Sequence, residues 1–316
     1  MESLKDDLTL GFDDVFFQSK EYFEVYHYTS EGALDSILFK ERKLWASEYS
    51  CVNDKSEGTV AQSVFERVCN RLWESNRIQE TLYQCIAKLK SSERMMFAFE
   101  DKVGYHVAVK QYRSYIVCFS ADGDSLNMWR YYTKESGVGG YNIGFSPNAM
   151  KECFQEKLTS YGVTCLFRNV IYDSAEQEAE VERFILWLNS CFKDNPEDRE
   201  IAKNLMEDRL AKWKLFFKDS RFSSESEVRL VVMVPEPLTL EKNGRKTEPY
   251  PIYKRDVHGF CVPYIKIPIS HESVTSVMIG PVQEHAKIKQ TAMMRKLRAK
   301  EYRSTLVGIS DLPIRY

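Results

Sequence analysis

Two glutamates stand one residue apart, Glu225 and Glu227 in the stretch SESEVRLVV at 224–232. On a strand this spacing predicts both carboxylates on one face, where their repulsion raises one of the two pKa values. A carboxylate so placed can steady a developing oxocarbenium ion and orient a ribose hydroxyl. The same residues also fit a solvated strand entrance with Arg229 as ion-pair partner. A second group is His27, Thr29 and Ser30 in YHYTS at 26–30. A histidine closing a strand can offer one ring nitrogen to a ribose hydroxyl while the backbone fixes the other. The alternative is an imidazole satisfied within an aromatic cluster, with Thr29 and Ser30 serving as helix caps. Third, Trp129, Tyr131 and Tyr132 in DSLNMWRYYT (124–133) can wall a planar ring or belong to the core. Fourth, Asn53, Asp54 and Glu57 lie in a turn, CVNDKSEG (51–58), that also reads as ordinary local structure.

The elements that must hold these groups are legible from pattern. FEVYHYT (23–29) and KLWAS (43–47) read as strands flanking a helix capped by Ser30, with Ala33, Leu34, Ile37 and Leu38 on one face. The block 59–109 reads as a helical insertion. YIVCFS (115–120), GGYNIGFS (139–146), TCLFRNVIYD (164–173), EVRLVVMV (227–234), YIKIPI (264–269), SVMIG (276–280) and STLVGIS (304–310) read as strands, and 124–133 as a short helix. Helices are expected over 174–193 and 197–217, and a basic one over 283–300. Asn243-Gly244 marks a hairpin tip. Strands and helices do not alternate, which predicts an α+β fold with a mixed or antiparallel sheet. The expected organisation is an extension over 1–22 and a single domain over 23–316, with helical insertions at 59–109 and 174–217.

The chain has 316 residues, a formal charge of -2, 43% hydrophobic and 13% aromatic residues. These numbers describe a packed protein without a global field that gathers nucleic acid. No apolar run reaches membrane-spanning length and the acidic N-terminus lacks an export signal, so a cytoplasmic location is expected. Eight cysteines without a Cys-x-x-Cys pair and five scattered histidines suggest buried thiols and no metal site. No phosphate-binding glycine loop, dinucleotide fingerprint or serine elbow is present.

The order YHYTS (26–30), NDKSE (53–57), CFS (118–120), MWRYY (128–132), GYNIGF (140–145), SESEVR (224–229) and IGP (279–281) resembles domain of unknown function 2971, a mostly bacterial family. Lys55, Ser224 and Val228 depart from its usual proline, tyrosine and tryptophan. The opening YHYTSEGALDSILFKERKLWAS and the later ESE also resemble ADP-ribosyltransferases. That second resemblance implies a split mixed or antiparallel sheet with NAD as substrate in a cleft. It implies that His27 touches a ribose, that Thr29 or Ser30 contacts the nicotinamide half, that Trp129, Tyr131 or Tyr132 stacks on nicotinamide, and that Tyr28 and Arg229 join the cofactor-binding set. Glu227 becomes the catalytic carboxylate and Glu225 its helper. The implied activity is cleavage of the nicotinamide bond and transfer of ADP-ribose to a protein, a nucleic acid or water, in a toxin or phage-defence setting. The alternatives are a non-catalytic nucleotide-sensing module of a bacterial defence system, and a metal-dependent nuclease built on Asp54, Glu57, Glu225 and Glu227. The basic run 285–303 fits either a phosphate contact or a solvated helix face.

Overall fold

The computed structural model of the chain describes residues 24–51, 58–92, 94–101, 104–132, 140–158, 163–235, 241–242, 245–246, 250–257, 259–281 and 285–313. Strand β1 (Val25–Thr29) ends at Ser30, whose hydroxyl accepts from the Ala33 N–H and caps α1 (Glu31–Asp35). A π-helical turn, Ser36–Lys40, follows, and β2 is Lys43–Glu48. Leu34, Ile37 and Leu38 are buried as their spacing predicts.

Helices α2 (Thr59–Glu74) and α3 (Glu80–Ile86) open the expected insertion, but its second half is not helical. There β3 (Arg94–Asp101) and β4 (Gly104–Ser120) pair antiparallel, from Arg94↔Gln111 to Asp101↔Gly104. The sequence there, MMFAFEDKVGYHVAV, alternates in period two around a turn, and aromatic and β-branched residues favour the pleat. Next come α4 (Leu126–Tyr132), β5 (Tyr141–Phe145), α5 (Pro147–Leu158), which pattern alone did not predict, and β6 (Thr164–Asn169). Helices α6 (Ser174–Cys191) and α7 (Pro196–Phe216) begin at Asp173 and Asn195, each side chain accepting a first-turn N–H.

Strand β7 is Glu227–Pro235, and β8 (Glu241–Lys242) pairs β9 (Arg245–Lys246); the expected tip, Asn243-Gly244, lies outside the described residues. The chain closes through β10 (Ile252–Val257), β11 (Phe260–Pro268), β12 (Val274–Ile279), α8 (Ala286–Ala299) and β13 (Leu306–Ile309). The sheet is mixed: β12 and β13 run parallel while the other named pairs are antiparallel.

The sheet forks at β4. One of its edges carries β7, with β6 beyond. The other edge is shared: β2 takes Tyr115 and Ile116, and β1 takes Ser120. From that point β2–β11–β10 and β1–β5–β12–β13 diverge. One side of the sheet holds the main core, including Phe119, Ile143, Val228 and Ile265. Helices α2, α3, α6 and α7 build a second core around Phe65, Leu72, Phe184, Met206 and Trp213. Thus two segments far apart in sequence meet in one helical layer, and α7 joins it to the sheet through Ala211, Leu215 and Phe216.

Candidate functional site

Glu225 and Glu227 do come together, but not along a strand. Glu225 ends a 3₁₀ turn (Ser220–Glu225), and Ser226 has left-handed backbone, φ 45° and ψ 47°. This single residue turns the chain so that both carboxylates reach one ammonium. Lys218 Nζ donates to Glu225 Oε2 at 2.7 Å and to Glu227 Oε2 at 3.1 Å. The end of β4 holds the turn in place: the Ser120 hydroxyl donates to the Glu225 carbonyl at 2.8 Å, and the Ala121 N–H to the Ser226 carbonyl at 2.8 Å.

Glu227 is only 5% exposed, and Arg229 grips it from Nε (2.7 Å to Oε1) and from NH2 (2.9 Å to Oε2). Burial by itself raises the Glu227 pKa, but Arg229, Lys218 and the Cys118 thiol outweigh it and hold it at about 2. Glu225 goes the other way. Burial raises its pKa, and the bond from Lys218 offsets this only in part. Burial disfavours the charged Lys218, yet two carboxylates keep it protonated and move its pKa upward. The phenol of Tyr172 accepts from the Glu227 N–H at 3.1 Å. Tyr132 lies near the cluster: the residue is 48% exposed, while partial burial of its phenol, with Cys118, Glu225 and Glu227 near it, pushes its pKa up.

The other expected residues distribute differently. Tyr26 pairs with Ser120, and Ser120 pairs with Glu227. Directly paired residues share a face, so Tyr26, Ser120 and Glu227 point one way. His27, one residue out of step, points the other way with Phe119 and Val228. Its ring meets Phe119 of the main core edge-on at 5.8 Å. The expected shared hollow for His27 and Glu227 is therefore corrected: a strand separates the two, and their side chains leave it on opposite faces.

His27 Nδ1 lies 3.0 Å from the Cys118 carbonyl. A carbonyl only accepts, so Nδ1 carries the proton and Nε2 is the ring's acceptor. Burial lowers the His27 pKa, against the Cys118 bond. Tyr28 is buried, with its hydroxyl donating to the Asp122 carbonyl at 2.8 Å and accepting from Ser125 N–H at 2.9 Å. Thr29 is buried and Ser30 caps α1, so these three serve the fold.

Trp129, expected as a stacking wall, is instead core. It is buried against Tyr28 (4.7 Å, edge-on), and its indole N–H donates to Asp124 at 2.7 Å. Tyr131, 62% exposed, and Tyr132 remain as open rings. Arg229, expected beside a cofactor, is fully buried; it spends its remaining NH1 on the Leu215 carbonyl at 2.7 Å. Asn53, Asp54 and Glu57 lie outside the described residues. Among the described residues no group of three or more His, Cys, Asp or Glu is arranged to hold a metal ion.

Lys218 and Tyr172 escaped the sequence reading. The signal for Lys218 was a cation closing the apolar run LFF just after a helix; Tyr172 gave none. The motif pieces nonetheless assemble. The Gly280 N–H donates to the Gly140 carbonyl at 2.9 Å, and a Cβ on Gly280 would stand 2.9 Å from that oxygen and 3.2 Å from the Trp129 ring. IGP, GYNIGF and MWRYY thus meet where only glycine fits.

Residues 128–230 match the family model described as protein of unknown function (DUF2971). The DUF2971 match begins in α4 and ends in β7. It takes in Tyr131, Tyr132, Tyr172, Lys218 and the Glu225–Arg229 cluster, and leaves His27 and Cys118 outside. No curated protein and no solved structure matches the chain. No helix among the described residues is long and apolar enough to cross a membrane.

Proposed function

We propose that the chain is a non-catalytic nucleotide-sensing module and does not cleave NAD. The neutralisation of Glu227 carries this proposal. A carboxylate that stabilises an oxocarbenium ion must direct uncompensated charge at the substrate. Arg229 and Lys218 already sit 2.7 to 3.1 Å from both Glu227 oxygens, and the group is buried. The placement of His27 on the opposite face supports the same conclusion. The imidazole, with Nδ1 bound to the Cys118 carbonyl, keeps Nε2 as the acceptor this reading assigns to a ribose hydroxyl.

A second possibility, ADP-ribosyl transfer or NAD hydrolysis, is favoured by two observations. The mixed sheet diverges at β4, which leaves room for a cleft, and Glu225, less buried than Glu227, keeps a raised pKa near Tyr132. Incubation with NAD labelled in the nicotinamide ring separates the two. The expected result is intact NAD throughout, with nucleotide binding weakened in His27→Ala. Nicotinamide release by the wild-type protein, lost in Glu225→Gln, would establish the enzymatic alternative.

A further inference from the structure

The outer face of β10–β11–β2 has no part in the carboxylate cluster. Its register puts Tyr253 opposite Tyr264, Arg255 opposite Val262, Tyr264 opposite Ser47 and Lys266 opposite Trp45. The intervening residues Leu44, Ala46, Ile265 and Ile267 fill the core on the other side. One face therefore carries three aromatic rings across three strands, a span of about 10 Å at ordinary strand spacing. The rings adjoin: Trp45 stacks on Tyr264 at 4.6 Å, and Tyr264 lies 5.6 Å from Tyr253. Tyr253 is 39% exposed.

Cations are interleaved with these rings. The Arg255 guanidinium lies over Trp45 (5.7 Å) and Tyr264 (5.6 Å), and Lys266 lies over Tyr253 (4.9 Å) and Trp45 (5.4 Å). Lys266 has a carboxylate partner, Glu41, at 2.9 Å. Arg255 donates from NH2 to the Ser47 hydroxyl at 2.8 Å, but its buried Nε has no hydrogen-bond partner. Lys43 ends the same face, opposite Pro268. These two strand partners also wall a cavity of about 330 Å³, to which Arg42, Ser270, His271 and the acidic Glu41 and Glu272 contribute. Three cations, Arg255, Lys266 and Lys43, thus stand on the face, with Glu41 paired to Lys266 and Glu272 beside the cavity. Arg42 reaches the cavity from a left-handed backbone (φ 50°) and lies 3.4 Å from His271 Nε2.

We propose that this face binds single-stranded nucleic acid. Its bases stack on Tyr253 and Trp45, its phosphates meet Arg255, Lys266 and Lys43, and the strand runs on into the cavity beside Arg42. Interleaved rings and cations on an open sheet suit this ligand because every base has a stacking face and every link a negative charge. Duplex, whose bases are already stacked, gains nothing from the rings. The proposal goes beyond the module reading, since it concerns a second face, and the two fail separately. Nicotinamide release overturns that reading and leaves this face untouched.

The test is fluorescence anisotropy with end-labelled single-stranded RNA and DNA of roughly eight nucleotides, a site size within the usual range, and with a duplex of equal length. The full chain should bind the single strands more tightly than the duplex, with affinity falling as salt rises. Tyr253→Ala and Arg255→Gln should each weaken binding about ten-fold or more, with the fold checked by circular dichroism. Because Tyr253 is exposed on an edge strand, its variant keeps the core. No binding by the wild-type protein, equal affinity for duplex, or unchanged affinity in both variants overturns the proposal.

Discussion

Arg229 closes a two-pronged bond on Glu227, its neighbour but one along the same strand, from Nε at 2.7 Å and NH2 at 2.9 Å. Both side chains are buried, so neither charge can fall back on water. Glu227→Gln should lower stability by roughly 3 kcal/mol, because it leaves Arg229 and Lys218 short of charge in the interior. Pairing it with Arg229→Met should recover part of that loss. Urea unfolding of the three proteins checks this; a single variant as stable as wild type would contradict the structural role.

Acid should weaken the fold in two stages. His27 has a lowered pKa, so the unfolded chain takes up its proton first, and stability falls as pH drops below about 6.5. Glu227 is held at about 2, so its contribution is complete above about 4.3 and is lost between there and about 2. Glu225, whose pKa is raised, works in the opposite sense: its share is present at low pH and lost as pH rises through its folded value. Unfolding midpoints from pH 3 to 7 should lose the upper stage in His27→Gln and the lower one in Glu227→Gln.

Ser226 holds a left-handed conformation between the two carboxylates. Glycine adopts it freely, whereas a β-branched residue there is strained. Ser226→Gly should leave stability unchanged or raise it by up to about 1 kcal/mol, and Ser226→Val should lower it by about 1 to 2 kcal/mol. Thermal melts measure both.

Arg67, Arg71 and Arg77 on and after α2 face Glu178 and Glu182 on α6 at 2.5 to 2.9 Å. These are exposed pairs. Arg71, which bridges both glutamates, should cost less than about 1 kcal/mol on replacement by alanine, and molar salt should erase most of the difference. Melting with and without 1 M sodium chloride reads the effect.

Local pattern was enough where a segment's burial matched its own period. The strand at 25–29, the capped helix after Ser30 and the apolar run 227–235 declare themselves because each buries what its sequence makes apolar. Strand β10 did not, since IYKRDV leaves most of its residues exposed on an edge. The hairpin at 94–109 was hidden by its position after two true helices. The carboxylate pair was visible, yet its geometry was not, since nothing in SESEV announces a left-handed serine. The facing of His27 was beyond local reach. It depends on the Tyr26–Ser120–Glu227 register across three strands, and a shift of one residue would reverse it.

Strand β4 runs without a break from the hairpin beside the helical layer to the tip that secures Glu225. Its residues Tyr112 and Ile116 serve the contact with α7, and Tyr115, Val117 and Phe119 serve the forked sheet. The two hydrophobic interiors therefore cannot be parted at a loop. Any truncation that isolates one of them either severs this rod or carries a raw half of it along, so a shortened protein would expose unpaired backbone on its cut edge and tend to aggregate.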